Sequence, residues 1–292
     1  MRSFRFLSLS ACAAALLAAT AAGGAPSALA AGSTVDRKAA ALVPKALASK
    51  GTVTVAADAS YAPNEFIASN GHTVIGMDAD LAKALFADLG LKVDVVNATF
   101  DTIIPGLQAG KYDIGMSSFT DTKAREKVVN FVDYFEAGTS FFEKAQGGPK
   151  VTNLASLCGL TVSVETGTTE QSDADGQAKK CPSGKKLTVL PFPTQNEANL
   201  ALSSGRAQVS MADSPVAAYQ VKQSHGEFKL TGQTYGTAPY GIAVPKSYGK
   251  LDQAILLALK DLIKNGDYMK LLQKWGVQSG ADTHPAINGA IS

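Results

Sequence analysis

Short β-forming runs alternate with helix-period segments along this chain, break once, and begin again; few architectures accept such an order. Thr52-Val53-Thr54-Val55-Ala56 reads as a buried strand. Leu81, Ala82, Leu85, Phe86 and Leu89, three and four apart, form the apolar face of a helix that Asp78 is expected to cap and Gly90 to end. Residues 91–96 return as a strand. Ile103, Ile104 and Leu107 mark a second helix, with Pro105 in its first turn and Gly110 at its end, and residues 113–116 follow as a strand. After Gly147-Gly148-Pro149 the pattern resumes with strands at 160–164, 186–190 and 209–211 and a helix at 196–204. The halves echo one another. Leu107, Gly110, Lys111 and Met116 recur, with the same spacing, as Leu202, Gly205, Arg206 and Met211. The alternation predicts an α/β protein with largely parallel sheet, and the echo predicts two similar lobes with a cleft between them.

The last part adds an extended segment at 240–244, then a helix with Ile255, Leu259, Leu262 and Ile263 inward, then a short one burying Tyr268, Leu271, Leu272 and Trp275. No periodicity follows Gly276, so 279–292 is expected to be a loose tail, and 32–49 reads as a linker.

Residues 1–31 carry the marks of an export leader: Arg2 and Arg5, an apolar run from Leu7, and small residues ending in Ala28-Leu29-Ala30. A retained anchor is the alternative, and Leu9-Ser10-Ala11-Cys12 also resembles a lipobox, although Cys12 sits inside the apolar run. The formal charge of +2 becomes neutral without the two arginines, and acidic and basic residues are interspersed, so a nucleic-acid partner is not expected. Cys158 and Cys181 enclose a loop of about twenty residues, which in an oxidising compartment reads as a disulfide; two separate thiols are the other reading.

Ligands of open α/β sheets gather beyond the carboxyl ends of the strands. Those ends open into Asp58-Ala59-Ser60-Tyr61, into Ser117-Ser118-Phe119-Thr120 with Arg125 beyond, into Glu165-Thr166-Gly167-Thr168-Thr169, and into Asp213-Ser214-Pro215. Arg125 can grip a carboxylate through two parallel hydrogen bonds. Ser118, Thr120 and Thr168 offer neutral donors, and Asp213 can pair with an ammonium group. A zwitterionic amino acid presents both charges on adjacent atoms. Each residue also has a structural alternative: Asp213 and Thr120 as helix caps, Arg125 in a solvated charged face, Tyr61 and Phe100 as core aromatics.

These segments, with Tyr61-Ala62-Pro63-Asn64-Glu65-Phe66, Gly76-Met77-Asp78-Ala79-Asp80-Leu81, Ile104-Pro105-Gly106-Leu107-Gln108-Ala109-Gly110-Lys111-Tyr112-Asp113, Thr120-Asp121-Thr122-Lys123-Ala124-Arg125 and Tyr240-Gly241-Ile242-Ala243, resemble the polar amino-acid family of periplasmic substrate-binding proteins that serve ABC transporters. The resemblance implies a type II periplasmic-binding fold, with 50–139 plus 238–278 as one lobe, 140–237 as the other, and two crossing segments near 137–142 and 233–240. It implies that Arg125 binds the ligand carboxylate, Asp213 its α-ammonium, Ser117, Ser118, Thr120, Gly167, Thr168 and Thr169 complete the cage, and Tyr61 and Phe100 sandwich the side chain. Asp58, with Glu65 nearby, would meet the side-chain tip and favour a basic or glutamine-like ligand. Asn64 departs from the commoner family pattern, which leaves the shape of that end open. The implied partners are an amino acid and an inner-membrane ABC permease, for a monomer in the periplasm or tethered outside the membrane. No cofactor or metal is expected. His72, His225 and His284 lie in turn or tail contexts and no GxSxG, HExxH or P-loop is present, so the chain is not expected to be an enzyme. A dehydratase of the same fold and a free-standing sensor are the rival readings.

Overall fold

The structure, a computed structural model, describes residues 35–291; the segment read as an export leader, including Cys12, lies outside the described residues. Two short helices open it, α1 (Arg37–Ala40) and α2 (Lys45–Lys50). The first lobe then runs β1 (Thr52–Ala57), β2 (Ser60–Tyr61), β3 (Glu65–Ile67), β4 (Val74–Ile75), α3 (Met77–Asp88), β5 (Lys92–Asn97), α4 (Phe100–Gln108), β6 (Ile114–Gly115) and α5 (Lys123–Glu126). A long strand, β7 (Val129–Lys144), crosses out of it. The second lobe holds β8 (Thr161–Glu165), α6 (Thr169–Ala178), β9 (Thr188–Phe192), α7 (Gln195–Ser203), β10 (Val209–Asp213) and α8 (Ser214–Gln223). A second long strand, β11 (Phe228–Pro245), returns, and α9 (Leu251–Asn265) and α10 (Asp267–Trp275) complete the first lobe.

One eight-stranded sheet runs through both lobes in the order β5-β1-β6-β11-β7-β10-β8-β9. β1 pairs parallel with β5 and β6, and β8 pairs parallel with β9 and β10, as the alternation predicts. β7 and β11 pair antiparallel at the centre, with register breaks between Thr231 and Tyr235, Tyr235 and Ala238, and Tyr240 and Gly241. Local twist rises at such irregularities, and these lie where the ribbon passes between lobes.

The apolar stripe on α3 packs Leu81, Ala82, Leu85 and Phe86, all fully buried, against α9, whose Ile255, Ala258 and Leu259 are equally buried. Truncating any such leucine to alanine costs about 2–5 kcal/mol. In the second lobe Phe141, Val162, Val164, Val209 and Met211 form a separate core, flanked by the Cys158–Cys181 disulfide. No helix among the described residues is long and apolar enough to cross a membrane.

Five expectations need correction. Pro105 lies inside α4, as its sixth residue, and not in its first turn. Asp78 does not cap α3. The N-cap is Gly76 at φ 135°, where a Cβ would collide with the Asn64 carbonyl, and Asp78 is buried as the second residue of the helix. The segment read as a linker carries α1 and α2, and it buries Ala39, Val43 and Leu47 against the first lobe. The strand expected at 186–190 begins two residues later, at Thr188. The segment read as a loose tail is a strap along β7: Asp133 N donates to Ala286 O (2.9 Å), Asn288 N to Phe131 O (3.0 Å), and Phe131 N to the Asn288 side chain (2.8 Å). The strap covers an edge that β10 reaches only from Thr139 onward.

Under this strap the carboxyls of Asp121 and Asp133 meet. Both are buried, and Asp133 accepts from Gly289 N at 3.1 Å. Burial raises Asp121 to about 6, and burial followed by repulsion from Asp121 raises Asp133 to about 8.

Candidate functional site

The cleft between the lobes holds a pocket of about 270 Å³, its open mouth included. From the first lobe it is lined by Asp58, Tyr61, Glu65, Phe100, Ser117, Ser118, Thr120 and Arg125. From the second come Glu165, Thr168, Thr169, Glu170 and Asp213. Gly167 stands at its rim, where its carbonyl accepts from Arg125.

Each side chain is positioned by a strand end. Asp58 follows β1 and accepts from Ser60 N (3.1 Å), Ser60 Oγ (2.6 Å) and Phe100 N (3.0 Å), while its own N–H donates to Ser117 Oγ (2.8 Å). Beyond β6, Ser117 and Ser118 donate to the two oxygens of Glu65, each at 3.2 Å. Ser118 adopts φ 50°, and its N–H donates to Asp78 (2.8 Å), as does the Tyr134 hydroxyl (2.8 Å). Glu65 therefore sits on a buried polar floor. Asn64 turns into that floor and donates to Ser118 Oγ (2.9 Å).

Thr122, rather than Thr120, caps α5, accepting from Arg125 N at 3.2 Å. The Arg125 guanidinium lies 5.4 Å from the Phe100 ring and 5.5 Å from that of Phe119, and these two rings stack at 4.5 Å. Its Nη1 donates to Thr120 O (2.8 Å) and its Nη2 to Gly167 O (3.0 Å), a bond between lobes. The charged-face alternative for Arg125 is thereby removed. Gly167, at φ 81°, is needed twice over: a Cβ there would press on Asp101 at 2.9 Å, and the conformation is left-handed.

Thr168 does cap α6, accepting from Gln171 N (3.2 Å). Asp213 occupies the N-cap position of α8 but makes no capping bond. It faces the first lobe instead, where Tyr61 OH donates to its Oδ2 (3.0 Å) and accepts from its N–H (3.0 Å). Tyr61 itself packs among Phe142, Leu202 and Val216 of the second lobe. Phe100 and Tyr61 both line the pocket, but the ring stacked on Phe100 belongs to Phe119.

Two lining residues carry no role in the sequence reading. Glu165 is the last residue of β8, a position the strand-end rule reaches without distinguishing it from turn chemistry. Glu170 lies in the first turn of α6, where an acid reads as a complement to the helix dipole; its carboxyl accepts from Thr139 (2.6 Å) and Thr169 (3.2 Å). Five carboxyl groups thus surround one guanidinium. Burial first, then mutual repulsion, pushes Glu65, Glu165 and Asp213 well above the usual carboxylate range, and burial raises Asp58. Burial pulls Arg125 down, yet a guanidinium stays charged. Chemically the arrangement suits a zwitterion that carries additional positive charge.

Residues 53–278 match the family of bacterial extracellular solute-binding proteins, family 3. The arginine-binding protein ArgT of Corynebacterium glutamicum is 36% identical over 253 residues, covering 85% of this chain and 82% of that one. A solved structure of an ancestral arginine-binding protein bound to arginine shares 38% identity with a TM-score of 0.73, covering 77% of this chain and 98% of the other. A second, of an ancestral arginine-binding protein bound to glutamine, shares 37% identity with a TM-score of 0.72, covering 78% and 98%. The two lobes and their two crossing strands are those of the type II periplasmic-binding fold, and this chain belongs to the bacterial extracellular solute-binding proteins, family 3.

Proposed function

We propose that the chain captures an amino acid with a cationic side chain, arginine first among them, between its lobes outside the cytoplasmic membrane and hands it unchanged to an ABC permease. The observation that carries this reading is the charge of the pocket: one guanidinium and five carboxyl groups. Arg125 takes the ligand carboxylate, and Asp213, held by Tyr61, takes the α-ammonium. Ser118, Thr120, Thr168 and Thr169 supply neutral hydrogen bonds, Ser117 braces Asp58, and Phe100 and Tyr61 flank the aliphatic stem. The side-chain cation points toward Asp58 and Glu65. The relatives named above, an arginine-binding protein and ancestral arginine-binding proteins bound to arginine and to glutamine, support an amino acid as the ligand.

We assign 50–139 plus 238–278 to one lobe and 140–237 to the other, with closure as a hinge motion of the β7–β11 ribbon. Closure expels water from around the paired charges and strengthens them.

Thermal unfolding of refolded, ligand-stripped protein against the twenty amino acids tests the proposal. A ligand at 100 times its dissociation constant stabilises by about 2.7 kcal/mol. Arginine or lysine should raise the transition, and Arg125→Ala should abolish the rise. No shift with any amino acid would defeat the assignment.

A further inference from the structure

Glu165 and Asp58 stand on opposite lobes, at the ends of β8 and β1, and their carboxyls lie within hydrogen-bonding reach across the cleft. Asp58 already accepts three hydrogen bonds from Ser60 and Phe100, so it is the acceptor of the shared bond and Glu165 the donor. Glu165 is 2% exposed and lines the pocket, yet its Oε1 has no partner. A buried oxygen left that way costs about 1–3 kcal/mol, and such an exception calls for a reason. The ionisable groups facing Glu165 are Asp58 beyond β1, Glu170 on α6 and Asp213 at the end of β10, all acidic. Glu65 faces Asp58 from behind. The one nearby cation, Arg125, is committed to the carbonyls of Thr120 and Gly167.

We infer that Glu165 and Asp58 form a cross-lobe site in which the ligand's side-chain cation replaces a proton, so that preference for cationic over neutral amino acids sharpens as pH rises. This rests on the amino-acid reading above and deepens it. A planar guanidinium has enough donors to serve both carboxylates and the orphaned Oε1 at once. The closed complex with arginine then has both groups ionised. A neutral amide in the same place leaves two carboxylates face to face in a water-poor cleft, so that complex keeps one proton between them.

The two complexes therefore differ by one proton. By linkage the ratio of arginine to glutamine affinity rises about tenfold per pH unit, whatever the protonation of the open form. The window begins above the ordinary carboxylate range and ends where the glutamine complex gives up its shared proton. The sign follows from the glutamine complex binding the extra proton, which disfavours it as pH rises. Glu165→Gln removes the exchangeable proton and one negative charge together.

Titration calorimetry of the full chain with L-arginine and L-glutamine at about pH 5.5 and 7.5 tests this. For the wild type the arginine-to-glutamine affinity ratio should rise over that interval, by about 100-fold at most. For Glu165→Gln it should be lower and flat. Should that variant fail to fold, Asp58→Asn probes the same pair. A wild-type ratio that ignores pH, or an unchanged slope in the variant, overturns the inference and leaves the amino-acid reading standing. Failure of both ligands to bind at either pH overturns this inference, and if no other amino acid shifts the thermal transition it defeats the amino-acid reading as well.

Discussion

Replacing Asp133 by asparagine should make this protein more stable at alkaline pH. The native state holds Asp133 protonated up to about pH 8 because its carboxyl is buried beside that of Asp121. The unfolded chain releases the same proton near the ordinary aspartate value of about 3.9. Between those limits the native state binds more protons than the unfolded one, so stability falls as pH rises through the interval. Each unit of displacement is worth about 1.4 kcal/mol, which sets an upper bound near 6 kcal/mol for the whole shift. Sharing between the two acids and relaxation of the strap reduce this, and we expect about 2–3 kcal/mol. Asparagine keeps the geometry: its Oδ1 can accept from Gly289 N, as Asp133 does at 3.1 Å, and its Nδ2 can donate to Asp121. Urea unfolding of both proteins at about pH 5 and pH 8 gives four stabilities, and the pocket acids contribute equally to wild type and variant. The wild type should lose more stability between the two pH values, and the variant should be the more stable at pH 8. Equal losses, or a less stable variant at pH 8, would refute the account of the carboxyl pair.

Two further outcomes follow from the same geometry. Tyr61→Phe keeps the ring in its packing but removes both hydrogen bonds to Asp213, one of them to a carboxyl, so calorimetry should show ligand affinity down about 10- to 100-fold; unchanged affinity would remove Tyr61 as a latch. Replacing Cys158 and Cys181 together by serine opens a loop of sequence separation 23, which should cost about 3 kcal/mol and several degrees in the thermal transition. The disulfide flanks the second-lobe core, away from the pocket lining, so ligand affinity should be unmoved; a large change in affinity would contradict that separation.

Parallel strands buried on both faces leave apolar runs, and helices packed on them leave three-and-four spacing, which is why β1, α3, β8, β10 and α9 are legible in the residues. β7 and β11 are not. Each carries charged or polar residues along its length, such as Asp133, Glu136, Lys229 and Gln233, because it borders core at some positions and hinge or strap at others. The strap escaped because it is held by backbone bonds and by Asn288 rather than by a hydrophobic stripe. In the pocket, Asp58, Arg125 and Asp213 were legible as strand-end residues of distinctive charge. Glu165 was not, since its partner Asp58 is on the other lobe and no local pattern encodes a neighbour across a cleft; Glu170, held by Thr139 and Thr169, reads as an ordinary first-turn acid. Asp78 misled for the opposite reason: its sequence position suits a cap, but Tyr134 and Ser118 hold it inside.

The first lobe is built from both ends of the chain. β6, at one edge of its parallel strands, pairs onward with β11, and the face of α3 is covered by α9; both partners are synthesised only after the whole second lobe. As the chain emerges, β1, β5 and β6 have no central neighbour and α3 no cover. The second lobe, in turn, shares β7 and β11 with the first. Neither half is complete alone, and a nascent chain stays open until β11 and α9 have appeared. For a polypeptide destined for export such lateness is an advantage, because a chain that completes its fold only at the end stays threadable until then.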